Sequence, residues 1–245
     1  MTTYEFMRWI TFPVMPVLLN TARRDILKLS KTHKVRGQTL SILDVGGRKS
    51  PYTIQIDADI TLLDVPQENE TQAQLNLGFT SELLDFIKQK RSNIKDIIIQ
   101  DMTQSTLPKS SYDAVVCVEV IEHVEEDDLF VQHIAEVVKP GGWAYFTTPN
   151  GDYIKNEPPY YNPDHKRHYT KNQLQTLLER YFNKVDVRYA VKTGKYRAWG
   201  HQPFSLKRPI TLMKSIMGNI VNRFQSKGLA DTSQRTAHLI AIVYK

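Results

Sequence analysis

The sequence contains few of the residues that define several common protein classes. A single cysteine, Cys117, among 245 residues excludes an intramolecular disulfide framework and a zinc site built from cysteines, and it favours a reducing compartment. No run of about 20 apolar residues is present, so no helix is expected to span a membrane. The chain also lacks repeats, low-complexity tracts and a complete G-x-G-x-x-G, which argues against repeat folds and dinucleotide dehydrogenases.

The composition that remains is that of a globular domain. Apolar residues make up 41% of the chain and charged residues 24%, which is enough to bury a core and excludes disordered or collagen-like chains. The apolar stretch at 10–19 is interrupted by Pro13 and Pro16, follows no basic segment and precedes a polar one. A cleaved signal peptide is therefore not expected, and the sequence predicts a cytoplasmic location.

The net charge of +6 is distributed unevenly along the chain. Residues 1–40 carry a charge of +5 and residues 184–245 carry +10, whereas residues 41–183 carry −9. Two interpretations follow. The basic flanks fold over the acidic centre and neutralise it, or they attract a polyanion or an anionic membrane surface.

From residue 40 onward, short apolar segments alternate with amphipathic ones. Strand character is found at 40–45, 60–65, 97–99, 112–118, 143–148, 185–191 and 238–244. Helical periodicity covers 81–90 and 127–138, and Thr170-x-x-Gln173 predicts a capping box that opens a helix to about residue 181. This alternation predicts an α/β fold with a mostly parallel sheet and helices on both faces.

Two segments lie outside the alternation and are expected to be helical additions, or lid segments. We interpret 1–36 as an N-terminal extension and 37–245 as one domain with an insertion at 192–234. Apolar residues recur at three- and four-residue steps over 206–224, with lysines and arginines nearby, which predicts an amphipathic helix. Its apolar face either packs on the body of the domain or contacts a membrane or an amphipathic substrate.

Ligands of open parallel sheets bind beyond the carboxyl ends of the strands. Asp44 ends the first predicted strand region and is followed by Gly46 and Gly47, which allow a sharp turn and a close approach to a ligand. Asp64 lies twenty residues later, where a carboxylate can accept from both hydroxyls of a ribose. Asp101 follows the third strand in the same way.

As an ordered set, these residues resemble the class I S-adenosylmethionine-dependent methyltransferases. The matching residues are LDVGG (43–47), Asp64, Asp101, YDAVVCVEVIEHV (112–124), VKPGGWAYFTTPN (138–150) and the terminal pair of strands. The resemblance covers about 40–191 and 236–245, and it implies a Rossmann-like sheet of seven strands with an antiparallel last strand.

The resemblance also implies S-adenosylmethionine as cofactor, with a role for each matching residue. Asp44, Gly46 and Gly47 would border its amino-acid and ribose part, and Asp64 would hold the ribose hydroxyls. The remaining cofactor contacts would be Asp101 at the adenine amine, Met102 beside the ring, and Glu119. The loop GGRKSPY (46–52) departs from the family pattern, so the helix after it is expected to be short.

Glu119, Glu122 and His123 place two carboxylates and an imidazole at one strand-to-helix switch. With His165 as a further ligand, this set suits Mg²⁺ or Mn²⁺. The E-x-x-E-H arrangement resembles the ubiquinone-biosynthesis O-methyltransferases and the small-RNA 3′-terminal 2′-O-methyltransferases. This resemblance implies a metal that gathers two adjacent oxygens and lowers the pKa of the one that attacks. Without a metal, His123, His165 or His168 is the candidate general base.

The candidate substrate contacts follow the fifth strand. Tyr160 and Tyr161 belong to a proline-rich loop that forms either a substrate wall or an ordinary surface loop. Arg167 and Tyr169 come from the adjoining segment. Cys117 is expected to be a core residue, because no activating base is paired with it.

Methylation of a hydroxyl group on a small-molecule acceptor (a phenol, catechol or sugar) is the leading functional prediction. The alternatives are an RNA 2′-O-methyltransferase, a small-molecule N-methyltransferase and a non-catalytic protein that binds the cofactor. The basic flanks favour RNA, but no RNA-binding module is recognisable. Peripheral membrane contact through 206–224 and the N-terminal apolar stretch is a subsidiary hypothesis.

Overall fold

The computed structural model describes residues 1–34, 37–47, 50–67, 78–158, 161–203, 205 and 207–245. In this part of the chain, seven strands form one sheet. They are β1 (Leu40–Val45), β2 (Ala58–Asp64), β3 (Ile94–Ile99), β4 (Tyr112–Val118), β5 (Val138–Pro149), β6 (Lys184–Lys192) and β7 (Thr236–Tyr244). Their order is β3-β2-β1-β4-β5-β7-β6. The last strand, β7, is antiparallel to β5 and β6, whereas the other pairs are parallel, which confirms the predicted sheet.

Helices pack around the sheet at the predicted positions. They are α1 (Thr3–Thr11), α2 (Val17–His33), α3 (Ser81–Lys90), α4 (Asp127–Val137), α5 (Lys171–Glu179), α6 (Lys195–Gly200) and α7 (Pro209–Gln225). The capping box at Thr170 is present, since its side chain accepts from Gln173 N and the Gln173 side chain accepts from Thr170 N. Among the described helices, none combines the length and apolar character needed to cross a bilayer.

Side-chain alternation along the strands divides the interior into two cores. Ile42 and Leu43 are consecutive on β1 and fully buried, and they point to opposite faces of the sheet. The first core is completed by α2 and α3, and the second by α4 and α5. Cys117 is fully buried in the second core, as predicted.

The helix α2 packs directly on the sheet. Ala22 and Ile26 are fully buried in the first core. The carboxylate of Asp25 accepts from the Tyr145 hydroxyl on β5 at 3.3 Å and from Arg188 on β6. The helix α2 is therefore held by both apolar packing and buried polar contacts, while the domain boundary at 36 stays a prediction.

Among the described residues between β1 and β2, the helical structure is a single 3₁₀ turn, Pro51–Thr53. A short helix was expected here from the departure of the glycine loop from the family pattern. The absence of a longer helix in the described segment between β1 and β2 leaves Asp44 to be covered by the turn itself.

Candidate functional site

A cavity of about 630 Å³ lies beyond the carboxyl ends of β1, β2, β3 and β4. This is the edge at which open α/β sheets bind ligands. The predicted cofactor residues that line it are Gly46, Asp64, Asp101, Met102 and Glu119. The other lining residues are Val45, Leu63, Val65, Gln100, Thr103, Gln104, Val120, His123, Val124, Glu125, Glu126, Phe130 and Asp164.

Gly46 allows β1 and the end of β4 to approach closely. Its backbone has φ +70°, a left-handed conformation that favours glycine. A Cβ at this position would lie 2.4 Å from Val120 Cγ2. Its N–H donates to Leu63 O at 2.7 Å, which fixes the turn at the cavity wall. Any side chain here would displace Val120 and distort that wall.

Asp44 lies behind the cavity wall and not in it. Its carboxylate is fully buried and accepts hydrogen bonds from Ser50, from Tyr52 at 3.2 Å and from Thr53 at 3.0 Å. A Cβ on Gly47 would lie 2.4 Å from Asp44 Cγ, so glycine is the residue that fits there. Asp44 and Gly47 therefore organise the loop after β1, whose Arg48 and Lys49 lie outside the described residues.

Burial raises the pKa of Asp44 to about 6, although the hydrogen bonds from Ser50 and Thr53 and the charge of Arg91 act in the opposite direction. Arg91 is itself buried, and it donates to Ser50 O at 3.0 Å and Thr53 Oγ1 at 3.2 Å. The loop after β1 is thus held between the carboxyl group of Asp44 and the guanidinium of Arg91, which are both buried.

The acids at the ends of β2 and β3 are already oriented by local hydrogen bonds. Asp64 accepts from Val65 N at 2.8 Å. Asp101 accepts from Thr103 N at 2.8 Å and from the Thr103 hydroxyl at 2.9 Å, and it thereby caps the turn Met102–Gln104. Because Met102 is buried beneath this turn, its side chain lines the cavity with only a small exposed area.

Glu119 connects the cavity to the last strand. It has φ +56°, a left-handed conformation that is strained for a residue with a side chain. Its carboxylate accepts from Thr147 Oγ1 at 2.8 Å and lies 3.1 Å from His238 Nδ1, while His238 Nε2 lies 3.1 Å from an Arg197 nitrogen. Burial raises the pKa of Glu119, but attraction to His238 and the hydrogen bonds outweigh burial and leave that pKa lowered. Glu119 is therefore an ionised acceptor at neutral pH.

Histidines from two segments meet beside the cavity. His123 Nδ1 lies 2.6 Å from Asp164 Oδ2, and its ring is nearly perpendicular to that of His165 at 4.7 Å. His168 Nδ1 faces the carbonyl of Ile154 at 2.7 Å, so this nitrogen carries a hydrogen. In the neutral ring, His168 Nε2 then accepts from His165 Nδ1 at 2.7 Å, and His165 Nε2 keeps its lone pair.

Glu122 is the third member of this cluster. One donor atom each of Glu122, His123 and His165 lies within 4.8 Å of the others. Burial, and then repulsion by Glu119, raise the pKa of Glu122 well above its usual value, which favours the protonated form of its carboxyl. Burial and the neighbouring His123 and His168 lower the pKa of His165 to about 4, so this imidazole is neutral.

The structure separates several residues that the sequence grouped together. Glu119, predicted as a metal ligand, is not part of the group of three, because its carboxylate is held by Thr147 and His238. Of the predicted substrate residues, Tyr161 is exposed and Tyr160 lies outside the described residues.

Arg167 and Tyr169 do not line the cavity. Arg167 pairs with Asp127 at 2.6 Å, and the buried Tyr169 hydroxyl donates to the same carboxylate at 2.6 Å. Both residues therefore anchor the segment before α5 to the start of α4 and hold the neighbouring histidines in place.

The sequence analysis did not identify the residues that contact the site side chains and hold them in position. These are His238 and Arg197 behind Glu119, Asp164 on His123, and Ser50, Thr53 and Arg91 around Asp44. None of them stands in a motif of its own. Asp164 could have been predicted, because it immediately precedes His165, which the sequence analysis named as a site residue.

The raised pKa of Asp44 predicts a measurable pH dependence of stability. The folded chain binds this proton more tightly than the unfolded chain, so the contribution of Asp44 to stability falls as the pH rises from about 4 to about 6. We expect the unfolding free energy of Asp44→Asn, relative to wild type, to rise by about 2 kcal/mol over that interval. Urea unfolding followed by circular dichroism would measure it.

The matched control is Asp59→Asn on β2, because that carboxylate is 42% exposed. Its difference from wild type should change little over the same interval. A constant difference between Asp44→Asn and wild type would show that the Asp44 proton is not held by burial.

Comparison with known proteins yields a consistent family. A family model described as a methyltransferase domain matches residues 18–187. A ubiquinone biosynthesis O-methyltransferase of Shewanella halifaxensis is 27% identical over 154 residues, which are 57% of this chain and 61% of that protein. The mitochondrial ubiquinone biosynthesis O-methyltransferase of Mus musculus is 33% identical over 134 residues, or 52% of this chain and 34% of that protein. The chain thus matches less than two thirds of the length of either relative.

Solved structures agree on the fold. A structure of a SAM-dependent methyltransferase from Archaeoglobus fulgidus superimposes with a TM-score of 0.55 and 14% identity. The match covers 91% of this chain and 94% of that one. At this identity, the likeness concerns the fold alone, and it agrees with the sheet order described above.

Proposed function

We propose that this chain, which belongs to the methyltransferase-domain family, transfers a methyl group from S-adenosylmethionine to a hydroxyl of a small molecule. The observation that carries the proposal is the cavity at the strand ends, which gathers five predicted cofactor residues and has the His123–Asp164 pair at its edge. The two relatives are both O-methyltransferases by name, which also favours oxygen as the acceptor atom.

In this proposal, the cofactor lies across the ends of the strands. Asp64 would accept from the ribose hydroxyls and Asp101 from the adenine amine, with Met102 against the ring. Gly46 leaves room for the backbone to approach the cofactor. The ionised Glu119 would accept from the ammonium group of the cofactor's amino-acid part, because a carboxylate with a lowered pKa is a suitable partner for a cation.

The chemical step needs alignment and removal of one proton. The acceptor oxygen forms a bond to the methyl carbon as the sulfur–carbon bond breaks, and S-adenosylhomocysteine leaves with the electron pair of that bond. Asp164 accepts from His123 Nδ1–H and leaves Nε2 to take the hydroxyl proton. His168 is a poorer base because both of its ring nitrogens have partners, and the pKa of about 4 makes His165 a weak base at neutral pH.

Binding of S-adenosylhomocysteine tests the placement of the cofactor. We expect Asp64→Ala to weaken binding about 10- to 100-fold, because a charged hydrogen-bond acceptor is lost. Isothermal calorimetry would measure the change. Asp59→Ala, on the same strand but paired with Lys95, is the control and should bind like wild type. Equal affinities for both variants would refute this placement.

Turnover tests the base. With labelled S-adenosylmethionine and a panel of phenols, catechols and sugars, we expect His123→Ala to lower kcat by about 10²- to 10⁴-fold on the accepted substrate. His33→Ala is the control, since this histidine contacts its own helix through Leu29 O. Transfer to amines or RNA but to no small hydroxyl compound would overturn the proposed acceptor class. Full activity of His123→Ala would remove this histidine from the mechanism.

A separate observation favours a divalent metal ion held by Glu122, His123 and His165. Glu122 Oε2 has no hydrogen-bond partner among the described residues, and it is buried. Asp164 contacts Nδ1 of His123, and His168 contacts Nδ1 of His165. Hydrogen-bond partners of this kind orient the histidines of metal sites. The residues therefore fit a metal, and we propose a bound metal as the alternative to His123 as base, because Nε2 of His123 cannot both hold an ion and take a proton.

The donor set changes which ion is expected. With Glu119 engaged elsewhere, one carboxylate and two imidazoles remain, and this set suits Mn²⁺ or another first-row ion better than Mg²⁺, which prefers oxygen ligands. When bound, such an ion would gather two adjacent oxygens of the acceptor and lower the pKa of the attacking hydroxyl. Since Glu122 must lose its proton first, binding should strengthen as the pH rises.

Calorimetric titration of chelator-stripped protein, saturated with S-adenosylhomocysteine, tests the metal. We expect about one equivalent of Mn²⁺ to bind, more tightly than Mg²⁺ and more tightly at about pH 8 than at about pH 6. Glu122→Gln and His165→Ala should abolish binding, whereas His33→Ala should retain it. An absence of binding, or binding unchanged in Glu122→Gln, would refute this site.

A further inference from the structure

The helix α7 is amphipathic, but its orientation is the reverse of that usual for a surface helix. Its buried face consists of small and polar residues, namely Ser215, Gly218, Asn219 and Asn222. Its outer face carries large apolar side chains that are 41–73% exposed, namely Ile210, Met213, Met217, Ile220 and Phe224. A surface helix ordinarily turns its apolar face to the core.

Specific contacts fix this orientation. Asn219 donates to Val14 O at 2.8 Å and to Gly200 O at 3.1 Å, and Asn222 donates to Lys192 O at 2.7 Å. A Cβ on Gly218 would lie 2.7 Å from Tyr196 O, so the helix meets α6 at backbone distance. Rotating α7 to bury its apolar face would break these hydrogen bonds and the close packing.

The neighbouring helix α1 is reversed in the same way. Its buried residue is the acid Glu5, whose carboxylate accepts from Ser92 N and Thr2 N at 2.8 Å each. Its exposed large apolar residues are Phe6, Met7, Trp9 and Ile10. The turn that follows α1 is tied to α7, since Arg223 donates to Pro13 O. We call these four residues and the five exposed residues of α7 the apolar surface.

The segment of chain that contains α7 carries charged residues of one sign. Between residues 187 and 230, the sequence has nine lysines and arginines and no aspartate or glutamate. Lys207, Arg208 and Lys214 are exposed at the start of α7, and Lys227 is exposed just after its end. A second copy of this basic face would repel the first, whereas an anionic surface would be attracted to it.

We propose that the apolar surface docks this protein on a lipid bilayer that contains anionic headgroups. The exposed side chains of α1 and α7 would enter the boundary between headgroups and acyl chains, where tryptophan is favoured. The lysine and arginine side chains would extend to the headgroups. This inference does not depend on the proposed methyl transfer, because vesicle binding is measured without turnover.

Flotation with vesicles provides the test. We expect wild type to bind vesicles with about 30% phosphatidylglycerol, to bind pure phosphatidylcholine at least about fivefold more weakly, and to dissociate as salt is raised. The triple variant Ile210→Ser, Met213→Ser, Phe224→Ser should lower partitioning at least about tenfold. It should fold normally, because all three side chains are mostly exposed. The matched control is Ile99→Ser, an exposed apolar residue on β3.

The contribution of the basic residues to binding and the depth of α1 in the bilayer are tested separately. Lys207→Glu with Lys214→Glu should lower partitioning at least about fivefold, and Lys88→Glu on α3 should not. Brominated lipids should quench part of the tryptophan fluorescence of wild type, and that part should be missing in Trp9→Phe. This result would place α1 at the same membrane interface as α7. Wild type that stays with the aqueous fraction, a triple variant that binds like wild type, or a dimer in light scattering that the triple variant converts to monomer would each overturn the proposal.

Discussion

The parallel pairing of β1 with β4 is the constraint on which the site depends. The register sets Val45 opposite Cys117, so the chain leaves the two strands at the same edge of the sheet. Gly46 and Val120 then meet at a distance that excludes any side chain on the glycine. From this contact, one wall of the cavity runs to Asp64 on β2 and the other to Glu119 after β4. The hydrogen-bonded ladder thus holds the proposed cofactor and acceptor regions at a fixed separation.

Three carboxyl groups lie near this edge, those of Asp44 and Glu122 buried and that of Glu119 half-buried, and each has different surroundings. Asp44 is surrounded by hydroxyl donors and a buried arginine, yet burial still raises its pKa to about 6. Glu119 meets His238, and its pKa is lowered. Glu122 is fully buried and is repelled by Glu119, and its pKa is raised well above the usual value. Different surroundings therefore shift the pKa values of these carboxyl groups in different directions, a common basis for dividing roles in a site. One acid organises a loop, one offers a negative charge, and the protonated form of the third is favoured beside two imidazoles.

The helices α1 and α7 extend the same physical reasoning to the surface. Burial of Glu5, Asn219 and Asn222 is tolerated because each side chain has hydrogen-bond partners in place. Exposure of nine large apolar side chains has no such compensation in water. In α6, Arg197 contacts His238, so the element that supports α7 also supports the cavity acid Glu119. The surface and the site are therefore built on shared packing.

The sequence alone determined the alternation of strands and helices, the capping box at Thr170 and the burial of Cys117. These depend on local periodicity and on short-range hydrogen bonds, which a linear pattern records directly. The set of cofactor residues came instead from the resemblance to a family, on motifs at the strand ends, and the role of each residue stays a prediction.

Only the tertiary structure decided how side chains from distant segments meet. His238 contacts Glu119 because β7 lies between β5 and β6 in the sheet, and no motif in the sequence predicts this contact. Arg167 and Tyr169 turn away from the cavity because Asp127 holds them. The periodicity of 206–224 identified an amphipathic helix but not which face is buried. That choice depends on the asparagines that bond to the carbonyls of Val14, Lys192 and Gly200, and non-local contacts of this kind exist only in the folded chain.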